Sequence, residues 1–168
     1  MLQQITRDKA ERLKDFVYGA SDGIITTFAV VAGVAGADLS PAIVLILGFA
    51  NLLADGFSMA SADYLGTETE LEVEHRVRKR QALKSAMVTF AAFVVGGLVP
   101  LIPSILGFKH MFGSAIVATA IALFIVGALR ASFVKKHFFR TAIETLLVGA
   151  VAATIAFFVG WFLKSIII

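Results

Sequence analysis

The sequence contains no cysteine. Disulfides, thiolate zinc sites, iron–sulfur clusters and cysteine nucleophiles are therefore excluded, and cysteine usage says nothing about compartment. Charge is scarce as well. Asp, Glu, Lys and Arg make up 16% of the 168 residues, while hydrophobic residues make up 58%. A soluble domain carries about 25% charged and about 45–50% apolar residues, so disorder, a fibrous protein and an ordinary soluble enzyme are ruled out. Proline occurs three times, and no stretch is Ser/Pro-rich, of low complexity or clearly repeated. No P-loop, HExxH, GxSxG or Rossmann fingerprint is present. No enzymatic activity is expected.

What is present is apolar sequence in long blocks, with a mean hydropathy of +0.88. A transmembrane helix needs about 20 mostly apolar residues. Five candidates occur, at about Phe16–Ala37, Pro41–Leu65, Ala82–Ile102, Met111–Val134 and Thr141–Leu163. The first two are separated only by Asp38-Leu39-Ser40, and Pro41 suits the first position of a helix. They therefore form a tight hairpin. The third ends at Pro100 and Pro103. The expected fold is an all-α membrane protein with five transmembrane helices. It forms a single membrane domain over residues 1–168, with a charged connection at about 66–81.

The basic residues orient this bundle. Arg7, Lys9, Arg12 and Lys14 precede the first span. Arg76, Arg78, Lys79, Arg80 and Lys84 lie between spans two and three, and Arg130, Lys135, Lys136 and Arg140 between spans four and five. Only Lys109 and Lys164 fall on the other side. The positive-inside rule places the N-terminus in the cytoplasm and the C-terminus on the opposite side. The net charge of +3 thus belongs to cytoplasmic loops, and no nucleic acid partner is expected. The charged Met1–Asp15 segment is not followed closely by an apolar stretch with a cleavage site, so no cleavable signal peptide is expected. A prokaryotic cell membrane is the simplest location, with a vacuolar membrane as the alternative.

Acids interrupt the first hairpin. Asp22 lies about two turns into span one, Asp55 near the middle of span two and Asp63 toward its cytoplasmic end. An ionised Asp at mid-membrane costs about 2.5–3.5 kcal/mol on insertion scales. For Asp22 and Asp55 a cation or proton path is favoured over a polar pair that merely locks two helices. For Asp63, a position in the membrane interface is an equally good account.

Residues three and four apart share a helix face. Asp15, Gly19, Asp22, Thr26 and Gly33 follow one stripe of span one, and Asn51, Asp55, Met59 and Asp63 one stripe of span two. Carboxylate and amide oxygens suit divalent cations, and a thioether shifts preference toward transition metals. Packing is the commoner role for Met, but Met59 one turn from an intramembrane acid is more specific. The glycines beside the acids, Gly23 and Gly56, permit close approach of an ion or of backbone.

The charged connection has two readings. Glu68, Glu70, Glu72 and Glu74 precede His75 and a basic run. In a solvated helix, Glu72 pairs with Arg76 and Glu74 with Arg78 at i, i+4, and this is the better account. The sharper alternative takes Glu72-x-x-His75, the spacing of di-iron bundles, together with Glu68 as a small loading site. Elsewhere, Arg140 and Glu144 read as a structural ion pair. His110 and His137 lie in loops. Tyr18, Tyr64, Phe138, Phe139 and Trp161 read as interface aromatics.

The hairpin resembles the vacuolar iron transporter family. Tyr18-Gly19-Ala20-Ser21-Asp22-Gly23-Ile24-Ile25-Thr26-Thr27 is similar to its first helix. Asn51-Leu52-Leu53-Ala54-Asp55-Gly56-Phe57-Ser58-Met59-Ala60, with Tyr64, Leu65 and Glu70 beyond, is similar to its second. The likeness is strong from about Glu11 to Glu72, while spans three to five agree mainly in number and order. It implies a five-helix homodimer that exports Fe²⁺ or Mn²⁺ from the cytosol in exchange for protons, with no permanently bound cofactor. It also implies that Asp22 and Met59 are intramembrane metal ligands and that Glu11 and Asp15 are acids at the cytoplasmic end. Asn51 departs from the glutamate of plant members and resembles the bacterial and nodulin-like branch. Asp55, one turn away, supplies the missing charge. The Glu-rich domain that plant members insert after the second helix is absent, which puts metal loading and preference in question.

The expected function is proton-coupled export of a divalent transition metal through Asp22, Asp55, Met59 and Asn51. Glu11, Asp15, Asp63, Glu68, Glu70, Glu72 and His75 are candidates for cytoplasmic loading. The partners are membrane lipid, metal ions and protons. The missing cytoplasmic domain motivates an alternative, a non-transporting metal-sensing or scaffold module. An intramembrane aspartyl hydrolase built on Asp22 and Asp55 is disfavoured, because the Gly-x-Gly-Asp signature is missing.

Overall fold

The computed structural model describes residues 2–75, 79–134 and 137–167. These residues form helices α1 (Leu2–Gly36), α2 (Pro41–Val73), α3 (Lys79–Leu98), α4 (Ile102–Ile105), α5 (Met111–Val134) and α6 (Phe138–Ile167). A 3₁₀ turn, Val99–Leu101, joins α3 to α4. No strand occurs among the described residues. Five helical stretches are long and apolar enough to cross a membrane: Ala10–Gly36, Pro41–Val73, Lys79–Ile105, Met111–Phe133 and Phe138–Ile167. The protein is an integral membrane protein.

Local chemistry sets the helix ends. α1 closes in a Schellman motif, in which the Leu39 N–H donates to the Val34 carbonyl at 3.1 Å and the Asp38 N–H to the Ala35 carbonyl at 3.1 Å. Asp38 takes the left-handed position, φ +54°, usually given to glycine. Ser40 is extended and Pro41 opens α2, where its missing N–H costs no helical bond. The prolines at 100 and 103 do not end the third span. Each occupies the first turn of a new short element, so the span tightens and continues to Ile105.

α2 is longer than the sequence suggested. It runs to Val73, so residues 66–73, read as connection, are helix. Nothing between Leu65 and Val73 stops it, since Gly66 is the one weak helix former there and no proline occurs. At about 1.5 Å per residue α2 is about 50 Å long, against about 30 Å of hydrocarbon core. Its last turns therefore extend beyond the hydrocarbon. The helix stops at His75, which is left-handed at φ +55° and donates its N–H to the Glu72 carbonyl at 2.9 Å. The anticipated pairs Glu72–Arg76 and Glu74–Arg78 involve Arg76 and Arg78, which lie outside the described residues.

α1 is the centre of the bundle. It packs on α3, α6, α5 and α2, and α3 in turn packs on α2. Glycine makes the closest crossing possible. A Cβ on Gly19 would strike the Thr89 carbonyl, one on Gly23 the Phe93 backbone, and one on Gly96 the Ala20 backbone. Small residues that let helix backbones meet are the main means of packing where lipid removes the hydrophobic drive. Gly23, whose position beside Asp22 left open an approach by an ion, thus serves the approach of α3. Phe93, fully buried, fills the space between α1 and α2 with Leu52, Phe28 and Val31.

Candidate functional site

Two polar groups interrupt this core. The first lies at mid-membrane. Asp22 is about 21 Å from the C-terminal end of α1, and Asp55 is about 21 Å from the N-terminal end of α2. The tight turn brings those two ends together, so the acids meet at one depth, where they interact electrostatically. Both are half-buried. Thr26 links the same two helices. Its hydroxyl donates to the Asp22 carbonyl oxygen at 2.9 Å and accepts a long hydrogen bond, 3.5 Å, from the Asn51 side-chain amide. Among the described residues neither the Asp22 nor the Asp55 carboxylate receives a hydrogen bond. Two acids that interact in a low-dielectric layer repel, and a shared cation or proton relieves that repulsion.

Met59, one turn beyond Asp55, is buried in the apolar cluster that holds Leu52 and Phe93. The structure thus places its side chain in packing.

The second group lies toward the basic end. Asp15 is almost fully buried, at 4% exposure, and accepts a 2.5 Å hydrogen bond from the Ser85 hydroxyl. Asp63 accepts one from the Thr89 hydroxyl at 3.0 Å, and Glu11 one from the Gln81 amide at 2.7 Å. Asp15 interacts electrostatically with both Asp63 and Glu11. The three donors Gln81, Ser85 and Thr89 recur every four residues on α3 and so form one face. This ladder was not anticipated from sequence. Its signal is three uncharged polar residues at helical spacing, which carry no charge to mark them within an apolar span.

The remaining candidates separate from these groups. Glu68 accepts from the Tyr64 hydroxyl at 3.4 Å and lies 3.8 Å from the Lys79 ammonium. It ties the end of α2 to the start of α3. Glu70, Glu72 and His75 are exposed. A helical Glu-x-x-His site needs both side chains on one helix face, and α2 ends at Val73, before His75. Glu72 and His75 are therefore not brought together in that register. Among the described residues no three His, Cys, Asp or Glu side chains converge as a ready metal cage. The Arg140–Glu144 pair forms as anticipated, at 3.2 Å.

Comparison with known proteins decides the kinship. The VIT family profile matches residues 13–84 and 78–161. The chain belongs to the VIT family. It is 28% identical to Vacuolar iron transporter 1 of Eucalyptus grandis over 212 residues, covering 88% of this chain and 84% of that protein. It is 23% identical to the Vacuolar iron transporter of Plasmodium berghei over 227 residues, covering 92% and 83%. It is 27% identical to Vacuolar iron transporter homolog 4 of Arabidopsis thaliana over 172 residues, covering 92% and 87%. All three alignments are longer than this 168-residue chain, the first two by about 40–60 residues and the third by 4, so the first two VIT proteins hold a long stretch with no counterpart here. The two family matches meet at residues 78–84, directly after the α2–α3 connection.

Proposed function

We propose that this VIT protein carries Fe²⁺ across the membrane, with Mn²⁺ as a second substrate, in exchange for protons. The observation that carries the reading is the pair Asp22 and Asp55, two half-buried acids at the same depth of adjacent helices that interact electrostatically. The relatives named vacuolar iron transporters support iron as the substrate. In this reading the cytoplasm lies at the basic end, where Glu11, Asp15 and Asp63 gather the ion. It then moves to Asp22 and Asp55, with the Asn51 side-chain oxygen and the Met59 sulfur completing the ligand set after a local rearrangement. Oxygen donors accept any divalent cation, and the thioether favours a transition metal over Mg²⁺ or Ca²⁺.

Proton coupling follows from competition. A carboxylate binds either a proton or the metal, so loading the ion releases protons and acid on the far side displaces it. Pairing of two chains as a homodimer places two sets of acids in one assembly and offers a source of the ligands that a single chain does not converge.

Anaerobic Fe²⁺ and Mn²⁺ flux into proteoliposomes, with a pH dye inside and Asp22→Asn beside the wild type, tests the proposal. Coupled, opposite movement of metal and protons that disappears in the folded variant is expected. Metal binding without flux would move the assignment to a sensor or scaffold, the alternative motivated by the short charged connection that stands in place of a Glu-rich cytoplasmic domain.

A further inference from the structure

A groove of about 790 Å³ runs between α1, α5 and α6, about a quarter-turn around α1 from the acid ladder. Its walls are apolar, formed by Val17, Ile25, Val126, Phe133 and Val148. Its mouth carries Lys14 and Arg130, two exposed cations on different helices. Among the described residues neither forms an ion pair. Glu144 also lines the mouth, but the Arg140 guanidinium sits 3.2 Å from its carboxylate and offsets its charge. Asp15, next to Lys14, is hydrogen-bonded to Ser85 of α3 and also interacts electrostatically with the Lys14 ammonium. With Glu144 offset by Arg140, the Arg130 charge keeps the mouth net positive.

Along α1 the groove extends from Ala10 to Ile25, about 22 Å. The part below Lys14 is about 16 Å, close to half of a hydrocarbon core, about 15 Å. Cations at the lip, with an apolar channel one leaflet deep below them, are complementary to a molecule with an anionic head and a long acyl tail. A basic pocket between transmembrane helices at a cytoplasmic surface is a known form of lipid headgroup site. We propose that this groove holds an anionic phospholipid, its phosphate between Lys14 and Arg130 and one acyl chain against Val17, Ile25 and Val126. The lipid would fill the groove that remains beside the direct packing of α1 on α5 and α6. This inference is independent of the identity of the transported ion.

Native mass spectrometry of the detergent-solubilised full chain tests it, with phosphatidylglycerol and phosphatidylcholine added in turn. The expected result is selective retention of phosphatidylglycerol. Lys14→Gln and Arg130→Gln are each expected to weaken it roughly fivefold, and the double variant about 25-fold. Ser21→Trp, which fills the groove without touching the cations, should also lose the lipid. Equal retention of the two lipids by the wild type would overturn the proposal, as would undiminished retention by either single variant that elutes as folded protein. Displacement of the lipid by inorganic phosphate alone would show that the site reads a free anion instead. Because the chain has no cysteine, Ser21→Cys supplies a second measurement. Lipid-protected labelling supports the site, and a disulfide between two copies overturns it by showing that a second chain covers the groove.

Discussion

α1 and α6 are both long enough to cross a membrane, and α6 is the more apolar of the two. Yet half of the apolar stretch of α1 is buried, against 6% for α6. The difference lies in what interrupts the hydrophobic sequence. α1 carries Gly19, Gly23, Asp15, Asp22, Thr26 and Thr27, which let other backbones approach or need polar partners. α6 presents Val151, Ile155, Phe158 and Phe162 outward, all more than half exposed. In water the most apolar helix takes the core. In lipid the tails solvate such a helix, and the centre goes to the helix with small and polar residues.

Substitutions break this comparison in graded fashion. Gly23→Leu has the largest expected effect, because its side chain would enter the Phe93 backbone. A cost of about 3 kcal/mol from overpacking should appear as loss of the monodisperse peak on size exclusion. Asp22→Asn comes next. It preserves shape, so the protein should remain folded while metal flux falls below a tenth of wild type in liposomes.

Acidifying the loading side should slow flux by up to about tenfold per pH unit for each proton that the ion must displace. A pH-independent rate would contradict competition at the carboxylates. Ser85→Ala combined with Thr89→Ala removes two donors to Asp15 and Asp63. It should cost about 1 kcal/mol for each hydrogen bond, read as a lower melting temperature, and should alter apparent metal affinity more than maximal rate. Phe158→Leu on α6 should change melting by no more than about 0.5 kcal/mol. A large loss there would show that the outer face of α6 is covered by protein.

Much of this architecture is legible in the residues. Blocks of apolar sequence located five spans, Asp38-Leu39-Ser40 announced the tight turn, and Asp22 and Asp55 stood out because charge at mid-membrane is costly. The length of α2 was less legible, since the polar run Gly66–Glu72 lacks the apolar signal of a span while keeping helix-forming residues. The Gln81, Ser85 and Thr89 ladder was missed because its meaning lies in partners on other helices. For the same reason, hydropathy ranked α6 as readily as α1 and did not show which would be enclosed.

The four-residue turn after α1, residues 37–40, has a mechanical consequence. It holds the ends of α1 and α2 together, so any separation of the two helices would be widest at the other end. Asp22 and Asp55 sit about 21 Å from that pivot, and Asp15 and Asp63 about 32 Å. Each ångström of spread between the inner pair therefore comes with about 1.5 Å between the outer pair. A grip that loosens at the inner acids has already loosened further at the outer ones, which makes the basic end the wide end of the lever and the turn its fulcrum.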